Sequence, residues 1–290
     1  MYIALRNFKK YAKMRKKEGF KMEKKRSLKE EYKLAIKEKR LVFLVFVLLR
    51  LMVVIAIIHS FVAKTYENLF FCVLTLILFS VPAFIEKNFG IELPSVLEVI
   101  ILLFIFAAEI LGEMGSYYTK VPYWDTMLHT TNGFLCAAIG FALIDILNRN
   151  DKIKFKLSPL FLAIVAFCFS MTIGVLWEFF EFFGDTFFGT DMQKDFVINT
   201  ITSTCLSGST GEPIVISGIT GTFVNGKKLP IDGYLDIGLY DTMKDLFVNF
   251  IGAVVFSFIG YFYVKTRGKG KLAKLFIPKL KKGKSDNENE

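Results

Sequence analysis

Four stretches of this chain set titratable side chains three or four residues apart. "YWDTMLH" places Asp125 four residues before His129, and "LWEFFEFFGD" carries Glu178, Glu181 and Asp185. "YDTMKDLFVN" carries Asp241, Asp245 and Asn249, and "AEILGE" carries Glu109 and Glu113. On a helix each set lies on one face. All four sets fall at the ends of strongly apolar runs, where a charged side chain is costly unless it points at a partner: about 3 kcal/mol at a bilayer centre, less toward the interface. Residues 109–129 and 178–245 together hold 13 acids against 5 Lys/Arg. Facing one another, so many carboxylates must either retain protons or share a cation.

Carboxylates beside one imidazole suit a hard or borderline divalent cation. Oxygen count favours Mg²⁺, Mn²⁺ or Ca²⁺, and direct ligation by His129 favours Zn²⁺. The expected ligands are Asp125, His129, Glu178, Glu181, Asp241 and Asp245, with Asp125 either a ligand or an orienter of the imidazole. His129 and Glu178 are the expected proton-moving, catalytic groups. Glu109, Asn249 and Asp185 are expected to support them. Plainer readings exist: Asp125 as a helix N-cap, His129 as a packed core histidine, Asp185 as an interface residue, and Tyr123, Trp124 and Trp177 as membrane-belt aromatics.

Three functions fit such a set. The first is a metal-dependent enzyme acting on a lipid or cell-envelope precursor. The second is a membrane scaffold in which the acids cross-link helices. The third is a proton- or cation-coupled transporter. The absence of an obvious internal repeat, and the gathering of polar residues near one face, speak against the third.

The elements that must position these residues are membrane spans. The 290 residues are 53% hydrophobic and include 32 Phe, in blocks too long for ordinary core helices. The chain therefore reads as an all-α polytopic membrane protein with six spans, at about 41–63, 69–86, 96–115, 126–147, 159–183 and 246–264. Pro82 should kink or shorten the second. The first apolar run begins about forty residues in, so no cleavable signal peptide is expected.

The net charge of +10 is unevenly spread: residues 1–40 carry 16 Lys/Arg against 5 acids, and 265–290 carry 9 against 3. Beside membrane segments, such basic ends read as cytoplasmic tails facing anionic headgroups rather than as a nucleic-acid surface. The organisation expected is a basic N-terminal segment 1–40, a membrane domain 41–264 and a basic tail 265–290, in a plasma membrane with both termini cytoplasmic. The basic 148–158 loop then lies inside as well. All four polar sets lie outside, together with the long 184–245 loop. Within that loop the 207–240 insert, with Asn225-Gly226 between β-rich runs, reads as a hairpin. The four cysteines show no CxxC spacing and read as packing residues.

In order, "YWDTMLHTTNGF", "LWEFFEFFGDTFFGTDMQKD" and "GLYDTMKDLFVNFIGAVV" resemble an uncharacterised family of bacterial membrane-spanning proteins, the YjdF type, over about residues 96–264. The order Asp125, His129, Glu178, Glu181, Asp241, Asp245, Asn249, Gly252 is also similar to a looser pattern in the VanZ-like, teicoplanin-resistance family. The first resemblance implies a multi-pass bacterial plasma-membrane protein without a known chemistry. The second implies the outer face and the cell envelope. The long hairpin insert and the second Asp depart from the VanZ pattern, so a resistance function does not carry over.

Overall fold

The structure, a computed structural model, describes residues 39–88, 90–149, 156–208, 211–266 and 273–280. The chain divides into two compact units, Met1–Leu44 and Val45–Glu290. Residues 1–38 of the basic segment expected over 1–40, the loop residues 150–155 and the last ten residues of the tail lie outside the described residues.

Six helical stretches are long and apolar enough to cross a membrane: Arg40–Ala63, Asn68–Asn88, Ser95–Met114, Trp124–Asn148, Pro159–Phe188 and Leu239–Lys265. The protein is thus an all-α polytopic membrane protein with small antiparallel strand pairs. Helix α1 (Arg40–Ala63) turns Leu48, Leu51, Ile55 and Ile58 outward, as a lipid-facing helix must. The second span is two helices, α2 (Tyr66–Leu78) and α3 (Val81–Asn88). Pro82 explains the break. It cannot supply the N–H that would bond back across the joint, so the ladder closes early through Ser80 N–H to Ile77 O at 2.9 Å and resumes with Phe84 N–H to Ser80 O at 3.0 Å.

Helix α4 (Ser95–Phe106) widens without a break into a π-helix, Ala107–Met114. Its wider turn closes with Gly115 N–H to Ile110 O at 2.9 Å. A short α5 (Tyr117–Lys120) leads to α6 (Trp124–Arg149). Helix α7 (Pro159–Phe188) starts on Ser158, whose Oγ accepts the Phe161 N–H at 3.2 Å, and stops at Gly189, where φ is +65°. Helix α8 (Leu239–Lys265) begins roughly two turns before the apolar run that marks it in the sequence.

Helices α6, α7 and α8 pack on one another as the centre of the bundle. Small residues allow the approach. A Cβ at Gly133 would collide with the Asn249 backbone carbonyl, and one at Gly252 with the Thr130 carbonyl. Close backbone contact of this kind is the usual way membrane helices gain packing without a hydrophobic drive between them. Asn249 Oδ1 accepts from Asn132 Nδ2 at 3.4 Å, its Nδ2 reaches Met171 Sδ at 3.6 Å, and its amide lies on Gly174. One fully buried amide thus ties all three helices.

Between α7 and α8 lie β2 (Phe196–Ile198), β3 (Thr200–Ser203), β4 (Ile214–Ser217), β5 (Phe223–Val224), β6 (Lys227–Lys228) and β7 (Tyr234–Asp236). They pair as β2–β7, β3–β4 and β5–β6, all antiparallel. Asn225 at φ +53° and Gly226 at φ +78° form the turn of the last hairpin. A short β1 (Ile91–Glu92) pairs with β8 (Lys279–Leu280) from the C-terminal stretch. Ile277 beside it is buried, and the Phe276 ring lies edge-on to Phe134 at 5.0 Å. The apolar part of this basic stretch therefore packs on the bundle.

Candidate functional site

Where α6 and α8 begin and α7 ends, three helices bring their polar faces together. Helix α6 starts at Trp124, so Asp125 stands inside its first turn, on the face of His129. His129 Nε2 lies 3.4 Å from Asp125 Oδ1 and 4.0 Å from Asp245 Oδ2, while Nδ1 lies 3.8 Å from Glu178 Oε1. Asp125, His129 and Asp245 each offer one ligand atom, and these atoms lie within 4.8 Å of one another. Two ligands held about 2.0–2.4 Å from one ion stand roughly 3–4 Å apart when adjacent. The two spacings from His129 Nε2 match that figure. They are too long for strong direct hydrogen bonds.

Burial sharpens the demand for a counter-charge. His129, Glu178 and Asp245 are almost wholly enclosed, and the Asp125 side chain is 20% exposed. The ion-pair contacts to Glu178 Oε1 and Asp245 Oδ1 are long, with His129 Nδ1 at 3.8 Å and the Lys244 ammonium at 3.6 Å. A buried carboxylate whose partners stand this far off is expensive.

Lys244 supplies part of the balance. Its ammonium lies 3.3 Å from Asp241 Oδ1, 3.6 Å from Asp245 Oδ1 and 3.7 Å from Asp125 Oδ2. Asp241 is anchored further by the Lys194 backbone N–H, which donates to Oδ2 at 2.8 Å. One ammonium thus faces three carboxylates, those of Asp125, Asp241 and Asp245.

The other expected residues sit around this centre. Glu181 accepts from Trp177 Nε1 at 2.8 Å, so Trp177 belongs to the acidic network rather than to a belt alone. Asn249 lies one turn deeper in α8, in the amide tie described above. Asp185 is a loop staple: Oδ1 accepts from Met192 N–H at 2.6 Å and Thr190 Oγ1 at 2.8 Å, and Oδ2 accepts from Gln193 N–H at 2.8 Å. Gln193 in turn donates to Thr242 at 2.5 Å, latching the loop to α8. Glu109 lies half-buried and Glu113 exposed on the π-helical stretch. Among the described residues no ion pair or hydrogen bond joins Glu109 to His129.

Tyr118 stands near both groups. Its ring lies against Gly112, where a Cβ would collide with it. Burial pushes the Tyr118 phenol well above its ordinary range, and the charges of Glu113, Asp125, Glu109 and Glu181 push it the same way. It stays a neutral hydrogen-bond donor among acids. Lys244, Tyr118 and Trp177 are thus site residues that the acidic spacing pattern does not single out. Lys244 alone left a signal, three residues after Asp241 on the same face.

Comparison with known proteins agrees with the membrane architecture. A family described as "Predicted membrane protein (DUF2238)" matches residues 44–266, a longer stretch than the ordered motifs cover. An uncharacterized protein of Thermotoga maritima is 28% identical over 123 residues, which is 42% of this chain. The match spans 61% of that relative's length. No solved structure matches.

Proposed function

We propose a function from one premise: the chain belongs to the DUF2238 family of predicted membrane proteins, and its polar residues converge on one spot. The spot is a divalent-cation site formed by Asp125 Oδ1, His129 Nε2 and Asp245 Oδ2. The observation that carries this reading is the close grouping of those atoms beside the buried Glu178 carboxylate. Glu178 faces the opposite ring nitrogen, the position from which a carboxylate fixes a ligating imidazole. It acts as an orienter here. Glu181 is held by Trp177 and Asp241 by Lys194, so neither is in the ligand set.

A divalent ion held there polarises an ester or phosphoryl oxygen and makes a water more acidic. The chain's own residues do the rest. Asp125, the most exposed carboxylate of the set, is the one an arriving substrate meets first. The neutral Tyr118 phenol nearby is available to donate a hydrogen bond to that substrate. With the basic ends cytoplasmic and the plasma membrane as the site of residence, the centre faces outward at headgroup depth. The substrate class is a lipid or lipid-linked envelope precursor carrying an ester or phosphate.

The test is turnover of vesicles containing phosphate-ester lipids by the purified full chain. Activity should fall with a chelator, return with Mn²⁺ or Zn²⁺, and vanish in Asp245→Asn. Turnover indifferent to chelator and to Asp245→Asn would remove the reading. A second reading rests on Lys244, whose contacts with three carboxylates form an ion-pair network that fixes α6 against α8 without a metal. In that case the protein is a scaffold, and Lys244→Gln lowers its stability rather than altering ion binding.

A further inference from the structure

The β5–β6 hairpin lies outside the site and projects an unusual surface. Phe223 is 67% exposed and Val224 50%, and Lys227 and Lys228 are exposed beside them. The register pairs Phe223 with Lys228 and Val224 with Lys227. Directly opposed residues of an antiparallel pair share a face. Each face of the hairpin therefore carries one apolar side chain and one ammonium. The Lys228 stem lies over Gly221, where a Cβ would come within 2.7 Å of its Cε.

The base of this hairpin is fixed. Leu229 N–H donates to Thr222 O at 2.8 Å, and Thr222 Oγ1 donates to Gly233 O at 2.7 Å. A two-stranded hairpin left in water with exposed Phe and Val has little to gain from that exposure. A protein partner would select one face, but here both faces have the same character. Apolar bodies with ammonium tips suit the boundary between acyl chains and anionic headgroups, where lysine stems snorkel. The lysines also stand out locally, because the 189–238 connection carries five acids and only one other basic residue, Lys194. The bilayer is within reach: Leu239 opens the last span eleven residues after Lys228, a tether of at most roughly 37 Å at full extension.

We propose that the 223–228 hairpin is an interfacial anchor that dips into the membrane holding the protein, with Phe223 and Val224 among the upper acyl chains and Lys227 and Lys228 on anionic phospholipid headgroups. It pins the α7–α8 connection over the bundle end.

The experiment uses the full chain in nanodiscs of phosphatidylcholine, with and without one third phosphatidylglycerol. A Phe223→Trp variant is read as its fluorescence difference from wild type. The expected result is blue-shifted emission, quenched by brominated lipid, in the phosphatidylglycerol discs. Adding Lys227→Gln and Lys228→Gln should weaken this lipid-bound state on the order of thirtyfold, as loss of two surface lysines implies. An arginine pair at the same positions should retain it. Solvent-like emission in both compositions would overturn the proposal. So would a blue shift insensitive to lipid that grows with protein concentration, which would place a second copy on the hairpin.

Discussion

His129 and Glu178 face each other between α6 and α7, with Nδ1 3.8 Å from Oε1, while the other ring nitrogen points at Asp125 and Asp245. The imidazole is thus held from one side and offered on the other. Glu178→Gln should lower divalent-ion affinity about 10- to 100-fold without abolishing it, the usual cost of losing an orienting carboxylate. Isothermal titration of the detergent-purified chain reads the effect. Complete loss would instead make Glu178 a ligand.

An ion at the proposed site would compete with Lys244 for the carboxylates of Asp125 and Asp245. Lys244→Gln removes the competitor and should tighten divalent binding by about tenfold, a modest figure because the lysine is a third exposed and screened. The same titration checks it. Weaker binding in this variant would mean that the ammonium helps to build the site.

Asp185 is separate from the proposed ion site. Asp185→Ala removes the acceptor of two backbone N–H groups and one hydroxyl in the 190–193 turn. Each hydrogen bond to a charged group is worth about 1.5–3 kcal/mol. Amide exchange should therefore quicken across 190–195, with ion affinity unchanged.

Gly252 sets the approach of α8 to α6, since any Cβ there meets the Thr130 backbone. Gly252→Val should cost at least about 1–3 kcal/mol, as overpacking does. A lowered thermal midpoint in detergent would record it, and an unchanged midpoint would contradict the close packing.

The spacing of acids and imidazole was legible in the sequence because an α-helix repeats every 3.6 residues, and α6, α7 and α8 are regular where Asp125, His129, Glu178, Asp241 and Asp245 sit. The Asn225–Gly226 turn was legible for a similarly local reason, since both residues adopt positive φ. Tyr118 was not, because its position depends on a π-helical stretch whose period no apolar pattern announces. Lys244 stands between two aspartates in the sequence, and only the tertiary packing of α8 against α6 turns it toward Asp125. The β2–β7 pairing joins residues 196 and 236 across the whole insert, and nothing local specifies it.

Metal content of the purified full chain tests the central claim most directly. The account predicts one divalent ion per wild-type chain and none when Asp125→Asn and Asp245→Asn are combined in protein that still elutes as a folded species. A wild-type chain with no ion after loading with Mg²⁺, Mn²⁺, Ca²⁺ or Zn²⁺, or a variant that keeps its ion, would contradict it.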